Sequence, residues 1–106
     1  MEMLKNKDGA YFIQNKAFKD IARAACLKVK NIAPAKKDND FIDIDIDKNN
    51  NLSINVNIKT KQGADISKIC LDIQEEINDS IYLMTGINCK NIDVHILGFI
   101  TDKKIK

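Results

Sequence analysis

Apolar residues recur at Ile66, Ile69, Cys70, Ile73, Ile77, Ile81 and Met84, in steps of three or four that place them on one stripe of a 3.6-residue helix. Asp65 stands where an N-cap carboxylate meets the free N–H groups of a first turn, and Gly86 where a left-handed residue ends a helix. The spacing therefore predicts one long amphipathic helix, and its stripe requires a sheet to lie on. Beyond it the period changes: Ile92, Val94 and Ile96 alternate with Asp93, His95 and Leu97, predicting a strand to Phe99 with one covered face. The same alternation occurs earlier, in Phe41 to Asp47 and Leu52 to Lys59, on either side of Lys48-Asn49-Asn50-Asn51. Asparagine tolerates the conformations tight turns demand, so these two runs predict a hairpin. Ile42, Ile44, Ile46, Leu52, Ile54, Val56 and Ile58 form its apolar side, and Asp43, Asp45, Asp47, Ser53, Asn55, Asn57 and Lys59 its wet side.

Upstream the pattern is helical again. Phe18, Ile21, Ala22, Ala25 and Val29 share a face, predicting a first helix over Lys16 to Lys30 with Asn15 as N-cap and Pro34 ending any continuation. Tyr11 to Ile13 is read as a short strand or an extended lead-in, and Ala35 to Asp40 as a polar loop. The order is (β)αββαβ: an α+β domain with a mixed sheet of three or four strands and two helices packed on one face. Residues 1–10 are expected to be a flexible N-terminus, 11–100 a single domain and 101–106 a flexible basic tail.

Composition limits the alternatives. At 106 residues there is room for one core, and 44% hydrophobic with 30% charged residues is the balance of a globular protein. No apolar run reaches signal-peptide or membrane-span length, so a cytoplasmic location is expected. Three cysteines, Cys26, Cys70 and Cys89, are widely spaced without a C-x-x-C pair, and Cys26 and Cys70 fall on or beside helix stripes, as small core residues do. The net charge of +2 conceals a segregation: residues 1–37 carry +6, residues 38–58 carry −4, and the remainder is neutral. Sixteen lysines to one arginine mark a compositional bias, so a single lysine carries little information.

Candidate chemistry is sparse. Asp43, Asp45 and Asp47 start like a calcium loop, but Lys48 replaces the glycine that must turn and Ile54 the bidentate glutamate, so a solvated strand face is the better reading. His95 is the only histidine, which leaves no His pair for a metal, and no nucleophile stands beside it. Thr85-Gly86 follows a helix, where the dipole repels phosphate. No catalytic residue, metal ligand or cofactor is expected. The Lys-rich first helix raises the alternative of an RNA- or DNA-binding module, against which stand the single Arg23, the absence of interleaved aromatics and the absence of a G-x-x-G loop. A better use of segregated charge is an interaction surface in which Lys16, Lys19, Lys28 and Lys30 of one copy meet Asp43, Asp45 and Asp47 of the next.

Several pieces in order resemble the alkaline shock protein twenty-three family, small envelope-stress proteins of Gram-positive bacteria and their relatives. They are Ile21-Ala22-Arg23-Ala24-Ala25 through Val29, Leu52 to Val56, Gly63 with Ile66, Ile73-Gln74, Met84-Thr85-Gly86-Ile87, and Ile92 to Gly98. The chain departs from the family pattern at Asn31, where glycine is frequent, and at Gln62, where tyrosine is. The resemblance implies a non-enzymatic protein of the envelope stress response that self-associates, or is held near the inner face of the cell membrane by a separate membrane-anchored partner. It supplies no catalytic residue.

Overall fold

The computed structural model describes residues 7–36, 41–49 and 51–100, with side chains from Asn15 onward. Six elements follow one another: α1 (Lys7–Cys26), β1 (Ile32–Pro34), β2 (Ile42–Ile46), β3 (Leu52–Thr60), α2 (Ile66–Thr85) and β4 (Cys89–Phe99). The sheet is mixed. β3 pairs antiparallel with β2 over Leu52 to Val56 and with β1 over Ile58 to Thr60, so the two short strands lie end to end along one of its edges. β4 runs parallel to β3 along the other edge for its full length.

The alternation in β3 sets the core. Leu52, Ile54, Val56, Ile58 and Thr60 are all buried, while Ser53, Asn55, Asn57 and Lys59 face the other way and are partly or fully exposed. The buried face needs a cover, and α2 supplies it with Ile69, Ile73, Ile77 and Ile81, each step matching the helical period. Removing one such side chain from water stabilises by roughly 1.5–3 kcal/mol, so this stripe is the main tertiary anchor of α2. α1 adds Phe18, Ala22, Ala25 and Cys26 to the same cluster. Both helices therefore occupy one face, and the α+β architecture is as the periodicity predicts.

The ends of α2 are fixed locally. The Asp65 carboxylate accepts the Lys68 N–H at 3.2 Å, and Gly86 sits in the left-handed region at φ 77° with its N–H donating to the Tyr82 carbonyl at 2.8 Å. Thr85 tightens this exit: its hydroxyl donates to the Ile81 carbonyl and accepts the Ile87 N–H.

Several expectations are corrected. The first helix is Lys7–Cys26 instead of Lys16 to Lys30, so Tyr11 to Ile13 and Asn15 lie inside a helix and contribute neither strand nor cap. The helix ends without Pro34, which sits in β1; an edge strand has no need of the N–H that proline lacks. The turn between α1 and β1 is made by Asn31 at φ 69°, a conformation asparagine tolerates better than most residues. Met84, placed on the buried stripe by its spacing, is 71% exposed, and Ile66 at the other end is exposed as well. The predicted loop over Ala35 to Asp40 lies partly outside the described residues; Ala35 itself donates its N–H to the Asn57 carbonyl.

Candidate interaction surfaces

The proposed surface residues fall into three environments. Asp43 and Asp45 project from β2 onto the open face of the sheet, opposite Asn55 and Ser53. Asp47 does something else. One of its carboxylate oxygens accepts the N–H groups of Asn49 and Asn51 at 2.8 and 2.9 Å, and the other accepts the Asn51 amide at 3.2 Å. The backbone bond from Asn51 is the largest of several influences holding this carboxyl below its usual range. Asp47 is thus the residue that builds the hairpin turn.

The lysines divide as well. Lys16 and Lys19 lie on α1, Lys16 exposed beside Asp20 at 3.5 Å and Lys19 half-buried. Lys28 and Lys30 lie beyond the end of α1, on one wall of a groove of about 450 Å³ against α2. The opposite wall carries Asp72, Glu75, Glu76 and Asp79, and among the described residues neither lysine forms an ion pair. The acidic side of α2 is the feature that sequence reading passes over. Its signal is present in the spacing of these four residues, which fall off the isoleucine stripe.

His95 stands on the open face, its Nε2 3.1 Å from the Asn55 Oδ1, with Asp93 two residues before it on the same strand. The described residues contain no cluster of histidine, cysteine and acidic side chains fit to hold a metal. The cysteines are free thiols: burial pushes Cys26 up to about 12 and Cys89 up to about 11, and raises Cys70 too. Such thiols are poor nucleophiles near neutral pH.

Two polar side chains of α2 reach beyond the core to the edge of the sheet. Gln74 Nε2 donates to the Ile92 carbonyl at 3.0 Å, and the Cys89 N–H donates to Asn78 Oδ1 at 3.0 Å. They satisfy backbone groups on the side of β4 that faces away from β3, over its first part only. No helix among the described residues is long and apolar enough to cross a membrane.

Comparison with known proteins gives a family and nothing narrower. No curated protein and no solved structure matches the chain. A family model described by its cell envelope-related function matches residues 34–101. That span takes in all of β2, β3, α2 and β4 and leaves α1 outside, so the resemblance seen in Ile21 to Val29 adds nothing to this match. The match covers more than half of the 106 residues, and the chain belongs to the alkaline shock protein twenty-three family, whose function is related to the cell envelope.

Proposed function

We propose that the protein is a non-enzymatic structural module of the envelope stress response, assembling with copies of itself and docking on a membrane-anchored partner at the cytoplasmic face of the membrane. The observation that carries this reading is that the candidate aspartates and the candidate lysines lie on opposite sides of the fold. Asp43 and Asp45 lie on the bare face of the sheet, whereas Lys16, Lys28 and Lys30 lie on the helix side. One copy's sheet face then meets the helix side of the next, a heterologous contact that propagates. Asp72, Glu75, Glu76 and Asp79, across the groove from Lys28 and Lys30, oppose any anion there, and a phosphate backbone, with its closely spaced charges, more than two aspartates.

Sedimentation velocity of the purified protein tests the surface. Replacing Asp43 and Asp45 by lysine is expected to lower the weight-average mass seen at low salt, while wild-type association itself weakens as salt rises. Asp47 is left unchanged, since altering it would disturb the hairpin turn. A wild type that associates while the double variant sediments identically removes the aspartate face from the interface.

A further inference from the structure

The two edges of the sheet are not equivalent. One is occupied by β1 and β2 end to end, the other is formed by β4 alone, and no further strand among the described residues pairs with it. In the parallel ladder alternate residues of β4 turn their N–H and C=O groups away from β3. The Ile92 carbonyl, taken by Gln74, identifies the outward set, and the Cys89 N–H, taken by Asn78, points the same way because the register shifts between Leu52 and Ser53. Ile92, Val94 and Ile96 belong to it.

Each end of this outward stretch is closed. Towards the N-terminus of β4, Gln74 and Asn78 occupy the edge. Towards its C-terminus the register shifts between Ile58 and Lys59: Ile58 pairs with Ile96 and Lys59 with Gly98, leaving Leu97 as the extra residue of a bulge. Between these limits Val94 and Ile96 present two N–H and two C=O groups that no described residue satisfies. From Val94 to Ile100 the sequence, VHILGFI, holds no lysine, arginine or acidic residue, although such charges are a common means of blocking strand edges.

We infer that this short edge pairs with the same edge of a second copy, antiparallel about a two-fold axis through His95. The inference rests on the self-association proposed above and names a contact for it. Opposed residues of an antiparallel pair share a face of the sheet, so a self-paired strand must be centred on a residue. Centring on Val94 brings in Ile92, whose carbonyl already accepts from Gln74; centring on Ile96 brings in Gly98 across the bulge. Centring on His95 sets Val94 of each strand against Ile96 of the other, and the two pairs exchange four hydrogen bonds with the groups left open. The two copies of His95 then face each other as a non-hydrogen-bonded pair, on the outer face where the side chain is exposed. The absence of charge along VHILGFI favours a second copy, because identical strands bring no like charges together there. Leu71 adds to the same side: it lies one turn from Gln74 on the α2 stripe that overhangs this edge and is 57% exposed. An isologous contact of this kind closes on itself, so it joins protomers in pairs, and the charged faces remain available to join pairs to pairs.

A cysteine cross-link reads the register directly. Opposed residues of a non-hydrogen-bonded pair have Cα atoms about 4.5 Å apart, within disulfide reach. The full-length His95→Cys variant is expected to form an intermolecular disulfide under mild oxidation, seen as a dimer on a non-reducing gel and absent from the wild type with its native thiols. Asn91→Cys, on the same exposed face, is the control: four residues off the axis, its counterpart lies about 26 Å away along the strand, and no cross-link is expected. A wild type that sediments as a monomer at every concentration overturns both the self-association and this contact. A wild type that associates while His95→Cys stays uncross-linked, or links no faster than Asn91→Cys, overturns the β4 contact and leaves the charged faces to account for assembly.

Discussion

Thr60 is the one buried side chain in the described core whose polar atom has no hydrogen-bond partner: the residue is fully buried at the end of β3, between Ile32 of β1 and Phe99 of β4, and its Oγ1 is unsatisfied. Valine has the same branched shape with a methyl group in place of the hydroxyl. A buried, unpaired polar group costs about 1–3 kcal/mol of desolvation. Thr60→Val removes that cost without opening a cavity, so a gain of roughly 1–2 kcal/mol is expected after allowing for relaxation. With a urea m-value of roughly 1–1.5 kcal/mol/M for a chain this size, the midpoint rises by about 1 M. Equilibrium unfolding followed by circular dichroism measures the shift, and unchanged m-values would locate the effect in stability alone. A midpoint equal to or below that of the wild type refutes the reasoning, because it would mean that the hydroxyl is paired in solution and contributes to the native state.

Two further outcomes follow from titratable groups. The Asp47 carboxyl is held below the ordinary carboxylate range, chiefly by the Asn51 N–H, so its ionised form favours the folded chain: the contribution is present above the ordinary aspartate value of roughly 3.9 and is lost as pH falls through the lower folded value. Asp47→Asn should therefore be less stable than wild type near neutral pH and lose less between about pH 5 and about pH 2; parallel urea-midpoint profiles for the two proteins would contradict this. The thiols give the second outcome. With Cys26 pushed up to about 12 and Cys89 to about 11 by burial, a disulfide reagent at about pH 8 should modify both slowly in the native protein and all three cysteines at once in urea. Prompt reaction of three thiols without denaturant would show that the core opens readily.

The parts of the fold that were legible in the sequence are those in which one periodicity runs long enough to be read. The β2–β3 hairpin and the buried stripe Ile69, Ile73, Ile77 and Ile81 are of this kind. β1 is three residues long, too short to show any period, and proline there suggests a stop before it suggests a strand. Met84 continues the spacing of α2 but not its burial for a reason external to the helix. Asn78 already reaches Cys89, where β4 begins, so the last turn has run past the end of the sheet. The turn at Asn31 was visible only as a departure from the family glycine; the positive φ explains why that position suits glycine and admits asparagine. Of the candidate surface, Asp43 and Asp45 are exposed where the alternation put them. Asp47 is exposed as well, but its carboxylate is engaged in the turn, which the sequence does not distinguish from a strand-end carboxylate until the Asn49 and Asn51 amides are placed.

The contrast between the sheet edges bears on how such a small domain stays specific. A free strand edge invites any extended chain, and proteins blunt it with proline, charge, bulges or a covering helix. All four devices are present here, but unequally distributed. Pro34 and the charged Asp43 and Asp45 belong to the strands on one side of β3. On the other side Gln74 and Asn78 cover the beginning of β4, and a bulge at Leu97 interrupts its end. What these leave is a window two outward residues wide, too short to hold a long foreign strand, yet matched by its own copy, whose pairing groups repeat the same spacing in reverse. Narrowing an edge in this way converts general stickiness into selectivity, since a partner must present two open residues flanked by comparable obstacles. On this argument the Gln74 and Asn78 straps act in recognition as well as in stability, by setting which register the edge accepts.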